Sequence, residues 1–257
     1  MKIYRFRLED EILYGVLDGE ALHPIVGPLF GDYVVSDRSI PLGRVTVLAP
    51  VLPSKVVAVG LNYKDHAAER GNPLPEEPLL FIKPSTAIIA PHDMIVNPDM
   101  SKRVDYEGEL ALVIGRTAAR LTGADRPEDY ILGFTCFNDV TARDLQDKDK
   151  QFTRAKSFDT FAALGPCIAT GVDFAALDIK TFLNGKLRQS SNTRNLIFPV
   201  PFLVRFISNI MTLLPGDVIT TGTPAGIGPM HPGDAVDVQI EGIGTLSNQV
   251  LKVSASL

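Results

Sequence analysis

Tyr4, Phe6 and Leu8 alternate with Arg5 and Arg7, a period of two that predicts a strand with one buried face. The turn pairs Glu9-Asp10 and Asp18-Gly19 follow, so residues 1 to about 50 read as a β-meander forming a small N-terminal lobe. Ala49-Pro50-Val51-Leu52-Pro53 interrupts regular structure ahead of a buried-type strand, Lys55 to Gly60. The boundary is therefore placed near 50 to 55, giving domains 1–52 and 53–257. Asn62 stands where it could cap a short helix through Tyr63, His66, Ala67 and Glu69, stopped by Gly71 and Pro73. Leu110 to Gly115, Asp217 to Thr221 and Ala235 to Glu241 read as strands, and Leu164-Gly165-Pro166 as a turn. Asn184-Gly185, between Ile179–Leu183 and Lys186–Gln189, is a strong hairpin signal. The Pro-Gly-Asp triplets at 215–217 and 232–234 read as recurring turn chemistry. Helical spacing of Leu203, Phe206, Ile207, Ile210, Met211 and Leu214 predicts a core helix ended by Pro215-Gly216. The fold class is mainly β (α+β).

Composition narrows the class. Of 257 residues, 45% are hydrophobic and 21% charged, an ordinary globular balance that excludes disorder as the main state. With 25 Lys and Arg against 30 Asp and Glu, the net charge of -5 offers no basic field for a phosphate backbone, which argues against nucleic acid. The longest uncharged apolar stretches, such as Val56 to Leu61, fall far short of the ~20 residues a membrane span needs. The first seven residues lack the apolar core of an export signal, so Cys136 and Cys167 read as reduced core thiols and the cytoplasm as the expected location.

Arg103-Val104-Asp105-Tyr106-Glu107-Gly108-Glu109-Leu110-Ala111-Leu112-Val113-Ile114 is the most informative stretch. In a strand, Asp105, Glu107 and Glu109 share a face that continues inward as Ala111 and Val113. Two carboxylates held about 5 Å apart repel by roughly 3 kcal/mol at an effective dielectric near 20, so such a cluster wants a cation or a shared proton. Oxygen-only ligands favour magnesium, manganese or calcium. A solvated edge strand with alternating acids fits the same pattern equally well.

Ile131 to Asp139 is an apolar strand that delivers polar groups at its end. Asp139 could be a third metal carboxylate or a helix N-cap. Arg143 and Gln146, three apart on the following turn, share a face suited to a substrate carboxylate or oxo group. Lys156, among small and aromatic neighbours, reads either as an enclosed ammonium able to stabilise an enolate or as a snorkelling surface lysine. Thr220 to Gly228 is a strand end opening into a glycine-rich loop with amides and hydroxyls for an anion, or a tight structural turn; it lacks the P-loop ending. His66 and Glu69 have the spacing of an oriented base or of a chance surface pair. His23, His92 and His231 each neighbour a proline and read as loop surface.

Taken in order, Gly60-Leu61-Asn62-Tyr63-Lys64-Asp65-His66, Phe81-Ile82-Lys83-Pro84, Asp105-Tyr106-Glu107-Gly108-Glu109-Leu110, Asn138-Asp139-Val140-Thr141-Ala142-Arg143-Asp144, Ala155-Lys156-Ser157-Phe158-Asp159 and Thr221-Gly222-Thr223-Pro224 resemble the fumarylacetoacetate hydrolase superfamily. The resemblance covers roughly residues 50 to 252. It implies a catalytic domain with a mixed β-sandwich roll behind a small N-terminal domain, and a homodimer. It implies Mg2+ or Mn2+ held by Glu107, Glu109 and Asp139. By the same carry-over, Arg143, Gln146, Lys156 and Thr223 line the substrate site, and His66 with Glu69 is a water-activating dyad on a lid. Asp105 falls outside that ligand set.

The implied substrate is a 2-oxo or 2,4-dioxo acid that passes through an enolate, stabilised by the metal and Lys156. Attack of water on a second carbonyl hydrolyses a C–C bond; loss of CO2 decarboxylates oxaloacetate; reprotonation elsewhere makes an isomerase, as for 2-hydroxyhepta-2,4-diene-1,7-dioate. The presence of both His66 and Glu69 favours hydrolysis. A metal-binding β-domain without turnover is the contrasting class, and it has no use for the His66, Glu69 and Lys156 set.

Overall fold

The apolar run predicted to be a strand extends from Gly108 to Ile114 and is buried at every residue. The computed structural model describes residues 1–69, 71 and 73–252. This strand pairs antiparallel with Ile131–Asp139 on one side and Val218–Thr220 on the other, near the middle of a 13-stranded sheet. Beyond Val218–Thr220 the sheet continues through Val56–Gly60, in parallel, to the edge strand Leu79–Lys83. In the other direction Ile131–Asp139 pairs with Ala162–Ala169, and that strand with Lys2–Leu8. The predicted meander, Lys2–Leu8, Glu11–Asp18 and Ala21–Val26, is thereby hydrogen-bonded into the same sheet.

Strand alternation divides the core in two. Leu110, Leu112 and Ile114 join Phe134 and Cys136 against Ile179, Val238 and Leu246 of a separate five-stranded sheet. Ala111 and Val113 join Phe137 and Leu164 on the opposite face, against Ile25, Val51 and Ala87. The architecture is mainly β, two large packed sheets and few helices, as expected. Burying each large side chain contributes about 1.5–3 kcal/mol. That apolar mass offsets the several kcal/mol per ion that buried acids and bases cost, so the strands that carry the charged site also support it.

A third sheet, of three strands, contains Val104–Tyr106 between Thr141–Ala142 and Gly228–Met230. The chain leaves this sheet and enters the large one at Glu107, so Asp105, Glu107 and Glu109 straddle a junction rather than one continuous strand. At that junction the five-stranded sheet approaches the backbone of Gly108, where an added Cβ would overlap the Thr181 hydroxyl. Gly108→Ala is expected to destabilise the fold by about 1–3 kcal/mol through overpacking, measured as a shift in urea midpoint. An unchanged midpoint would show that the sheets can separate freely at this point.

Other elements follow local chemistry. Asn184 and Gly185 adopt φ of 53° and 72°, the left-handed pair of a type I′ hairpin between Asp178–Leu183 and Lys186–Asn192. Gly216 and Gly233, at the centres of the two Pro-Gly-Asp triplets, have φ of 88° and 93°. Cys136 and Cys167 are free and buried. Among the described residues no helix is long and apolar enough to cross a membrane.

Four expectations are corrected. The core helix spans Val200–Ser208 and stops well before Leu214, because the Ser208 carbonyl accepts Arg120 N–H and Leu213 bridges to Ala118. Asn62 caps no helix; its amide accepts from Phe198 N–H and donates to the Phe198 and Thr221 carbonyls, which fastens three segments together. Leu164-Gly165-Pro166 lies within the strand Ala162–Ala169, whose pairing with Ile131–Asp139 shifts register between Phe134 and Cys136. His23 sits half-buried in the strand Ala21–Val26 rather than in a loop, since pairing with Val16 fixes it there.

Candidate active site

The sheet junction aims three carboxylates at one point. Glu109 follows the alternation of the large sheet, Asp139 ends the neighbouring strand, and Glu107 occupies the break between sheets. One oxygen from each of Glu107, Glu109 and Asp139 lies within 4.8 Å of the others, and all three residues are buried. Burial removes the solvated-edge reading. The N-cap reading of Asp139 also fails, because the helix Arg143–Asp149 begins after Ala142.

Cations compensate these acids unevenly. Lys156, 2% exposed, donates to Glu107 Oε2 at 2.9 Å and Asp139 Oδ2 at 2.5 Å. Burial works against its charge, but Asp139 and Glu107 outweigh that and raise its pKa. Burial alone would also lift the Glu107 carboxyl, yet Lys156 and Arg143 hold it well below the usual carboxylate range. Among the described residues no side-chain cation bonds to Glu109; its Oε2 accepts the backbone N–H of Gly222 at 2.9 Å. Burial first, then Asp139 and Glu107, push the Glu109 carboxyl well above its ordinary value. A buried all-oxygen donor set with one uncompensated acid fits a hard divalent cation.

Lys83 is a fully buried lysine that sequence reasoning placed in a motif without a role. It pairs with Asp139 and donates to the Val140 carbonyl at 3.2 Å. Burial lowers its ammonium to about 8, against the opposing pull of Asp139.

Each nitrogen of the Arg143 guanidinium has a protein partner, which leaves one N–H free on each Nη. Its Nε donates to Asp105 at 2.9 Å, Nη2 pairs with Glu107, and Nη1 donates to Gln146 at 2.5 Å. Asp105, 0% exposed, also receives Nε and Nη2 of Arg103 at 2.9 and 3.1 Å. Asp105 therefore orients the arginine while Glu107 and Gln146 define where its charge is presented.

Gln189 crosses from the five-stranded sheet to fix the junction. Its Oε1 accepts Gly108 N–H at 3.0 Å, and its Nε2 donates to the Thr223 hydroxyl and the Pro224 carbonyl, each at 2.8 Å. Thr223 donates in turn to the Gly108 carbonyl at 2.9 Å. One buried amide thus sets the peptide between Glu107 and Glu109. No local pattern reveals this, because the arm Lys186–Asn192 looks like half of a hairpin.

His66 lies on the short helix Lys64–Glu69, with Nδ1 3.2 Å from Glu69 Oε2. The helix keeps the pair together, and the Gly226 N–H donates to Glu69 at 3.2 Å. The glycine-rich loop turns its amides on the protein itself: Gly222 N–H donates to Glu109 and Gly226 N–H to Glu69. Eight of the nine candidate residues line one cavity of about 350 Å³; the ninth, Glu69, reaches it through His66.

Residues 55–251 match the family described as fumarylacetoacetate (FAA) hydrolase C-terminal, and residues 1–50 match Rv2993c-like, N-terminal. A 2-hydroxyhepta-2,4-diene-1,7-dioate isomerase from Mycobacterium marinum superposes with a TM-score of 0.91 at 44% identity, covering 98% of each chain. A fumarylacetoacetate hydrolase from Exiguobacterium antarcticum gives 0.88 at 38% identity, over 98% of this chain and 100% of that one. A mitochondrial oxaloacetate tautomerase of Bos taurus is 42% identical over 82% of this chain and 71% of its own length. With its central strands, acidic triad and matched residues 55–251 in agreement, the chain belongs to the fumarylacetoacetate hydrolase family.

Proposed function

We propose that the protein is a divalent-metal-dependent enzyme acting on a 2-oxo acid through an enolate, and that it hydrolyses a C–C bond in a 2,4-dioxo acid. The observation that carries this reading is the placement of the His66–Glu69 pair and the Lys156 cluster around one cavity. Glu107, Glu109 and Asp139 would hold Mg2+ or Mn2+, which supplies Lewis-acid polarisation of the substrate when bound. Arg143 and Gln146 bind and orient the substrate through their free N–H groups, and Thr223, whose hydroxyl proton goes to the Gly108 carbonyl, shapes the pocket beside them. His66, oriented by Glu69, takes a proton from water. The resulting hydroxide adds to the C4 carbonyl and the C3–C4 bond breaks. Its electron pair stays on C3 as the pyruvate enolate, whose oxygen Lys156 stabilises until C3 is protonated. The products are pyruvate and the carboxylate of the acyl group.

A second reading, isomerase or tautomerase, is supported by the printed activities of the Mycobacterium marinum and Bos taurus relatives. It uses the same enolate and ends with reprotonation. Proton NMR of a 2,4-dioxo acid incubated with protein and Mg2+ in D2O separates the two. Pyruvate and a free carboxylic acid mean hydrolysis; faster C3 deuteration without cleavage means tautomerisation. Neither change over the protein-free rate would reject both.

His66→Ala is expected to reduce cleavage by ~100-fold or more, the usual contribution of a positioned base. Decarboxylation of oxaloacetate on the same preparation should fall much less, since loss of CO2 needs no activated water. Equal losses would reassign the pair to positioning or closure.

A further inference from the structure

One wall of the cavity carries no charge. Lys156 Nζ lies 5.1 Å from the centroid of the Phe81 ring. Phe81 meets Phe152 edge to face, with centroids 5.3 Å apart and planes at 81°. Phe81 therefore touches the ammonium on one side and an apolar wall on the other. Leu79, the cross-strand partner of Gly60, completes that wall: a Cβ added to Gly60 would come within 3.3 Å of Leu79 and 3.6 Å of Phe152. Leu79, Phe81 and Phe152 also line a second cavity of about 530 Å³, together with Lys150 and Thr153. The three side chains are shared by the charged cavity and this second one and stand between them.

We infer that Leu79, Phe81 and Phe152 form the subsite for the group attached to C4 of the substrate, and that the subsite selects an apolar alkyl or aryl group. The inference rests on the 2-oxo-acid reading above. With the 2-oxo oxygen at Lys156, the next carbons of the chain pass over Phe81, and the C4 substituent is directed to Phe152 and Leu79. Leu79 is 54% exposed, so an alkyl group seated there removes apolar surface of both partners from water. A carboxylate in the same place would lose its hydration beside two phenyl rings and a leucine. Only a chain long enough to cross this wall would bring a second carboxylate near Lys150.

Calorimetric titration in the presence of Mn2+, on the His66→Ala background so that binding is read ahead of turnover, tests this with 2,4-dioxopentanoate, 2,4-dioxooctanoate and the dicarboxylate 2,4-dioxoheptanedioate. The octanoate should bind about tenfold tighter than the pentanoate, the gain from three methylenes each roughly half-buried. Phe152→Ala, and independently the exposed-site variant Leu79→Ala, should shrink the octanoate-to-pentanoate ratio severalfold. Equal binding of the two monocarboxylates, tighter binding of the dicarboxylate, or an unchanged ratio in both variants overturns the subsite while leaving the 2-oxo-acid reading in place. Binding of none of the three compounds overturns that reading, and the subsite with it.

Discussion

Glu109→Gln is expected to make the cation-free protein more stable at neutral pH and to abolish its binding of divalent cations. The Glu109 carboxyl is pushed above its ordinary value by burial, Asp139 and Glu107. A carboxyl raised on folding destabilises the native state wherever it is ionised in the unfolded chain. That penalty is absent below the ordinary carboxylate value and grows as pH rises towards the native value. Glutamine removes the charge and keeps an oxygen to accept the Gly222 N–H. In EDTA the melting temperature of the variant should exceed that of the wild type at pH 7, with the gap closing as pH falls towards 4. Mg2+ should reverse the order, since at a hundred times Kd a ligand adds about 2.7 kcal/mol to the protein that binds it. Equal Mg2+ shifts in both proteins would remove Glu109 from the ligand set, and a variant less stable in EDTA would show that its charge is compensated.

Lys156→Met should move stability the other way. Without the ammonium, Glu107 and Asp139 lose a shared partner inside the protein, and breaking a buried pair by removing one side costs about 3–5 kcal/mol. Lys83 and Arg143 remain on the same acids and place the expected loss at the lower end of that range. Turnover should fall ~100- to 1,000-fold, the scale for deleting one donor to a developing oxyanion, with KM little changed. A kcat near the wild-type value would exclude the lysine from the chemistry. Opposite stability changes from two neighbouring positions would show that this is a charge cluster poised for a cation, and not a closed structural network.

The parts of this site legible in sequence were those set by local period. Alternation placed Glu109 with Ala111 and Val113, the end of an apolar strand placed Asp139, and i,i+3 spacing paired His66 with Glu69. Residues decided by distant partners were not legible. In Leu79–Lys83 the lysine is buried while Ile82 is exposed, an inversion fixed by Asp139 from another strand. Asp105 looks like a third member of the acidic row until Arg103 and Arg143 claim both of its oxygens. Gln189 acts across two sheets. The helix that stops at Ser208 carries helical spacing on to Leu214, and distant contacts, Arg120 on the Ser208 carbonyl and Ala118 bridged to Leu213, end it early.

Gly222 and Gly226, four residues apart on one loop, hold Glu109 and Glu69 by their backbone amides. Neither position tolerates a side chain: φ is 90° and 96°, and added Cβ atoms would run into Asn62 and the Arg188 carbonyl. On the proposed reading, a single five-residue run of backbone therefore tethers one carboxyl group at the metal and another behind the base. A distortion of this loop would disturb both ends of the reaction at once.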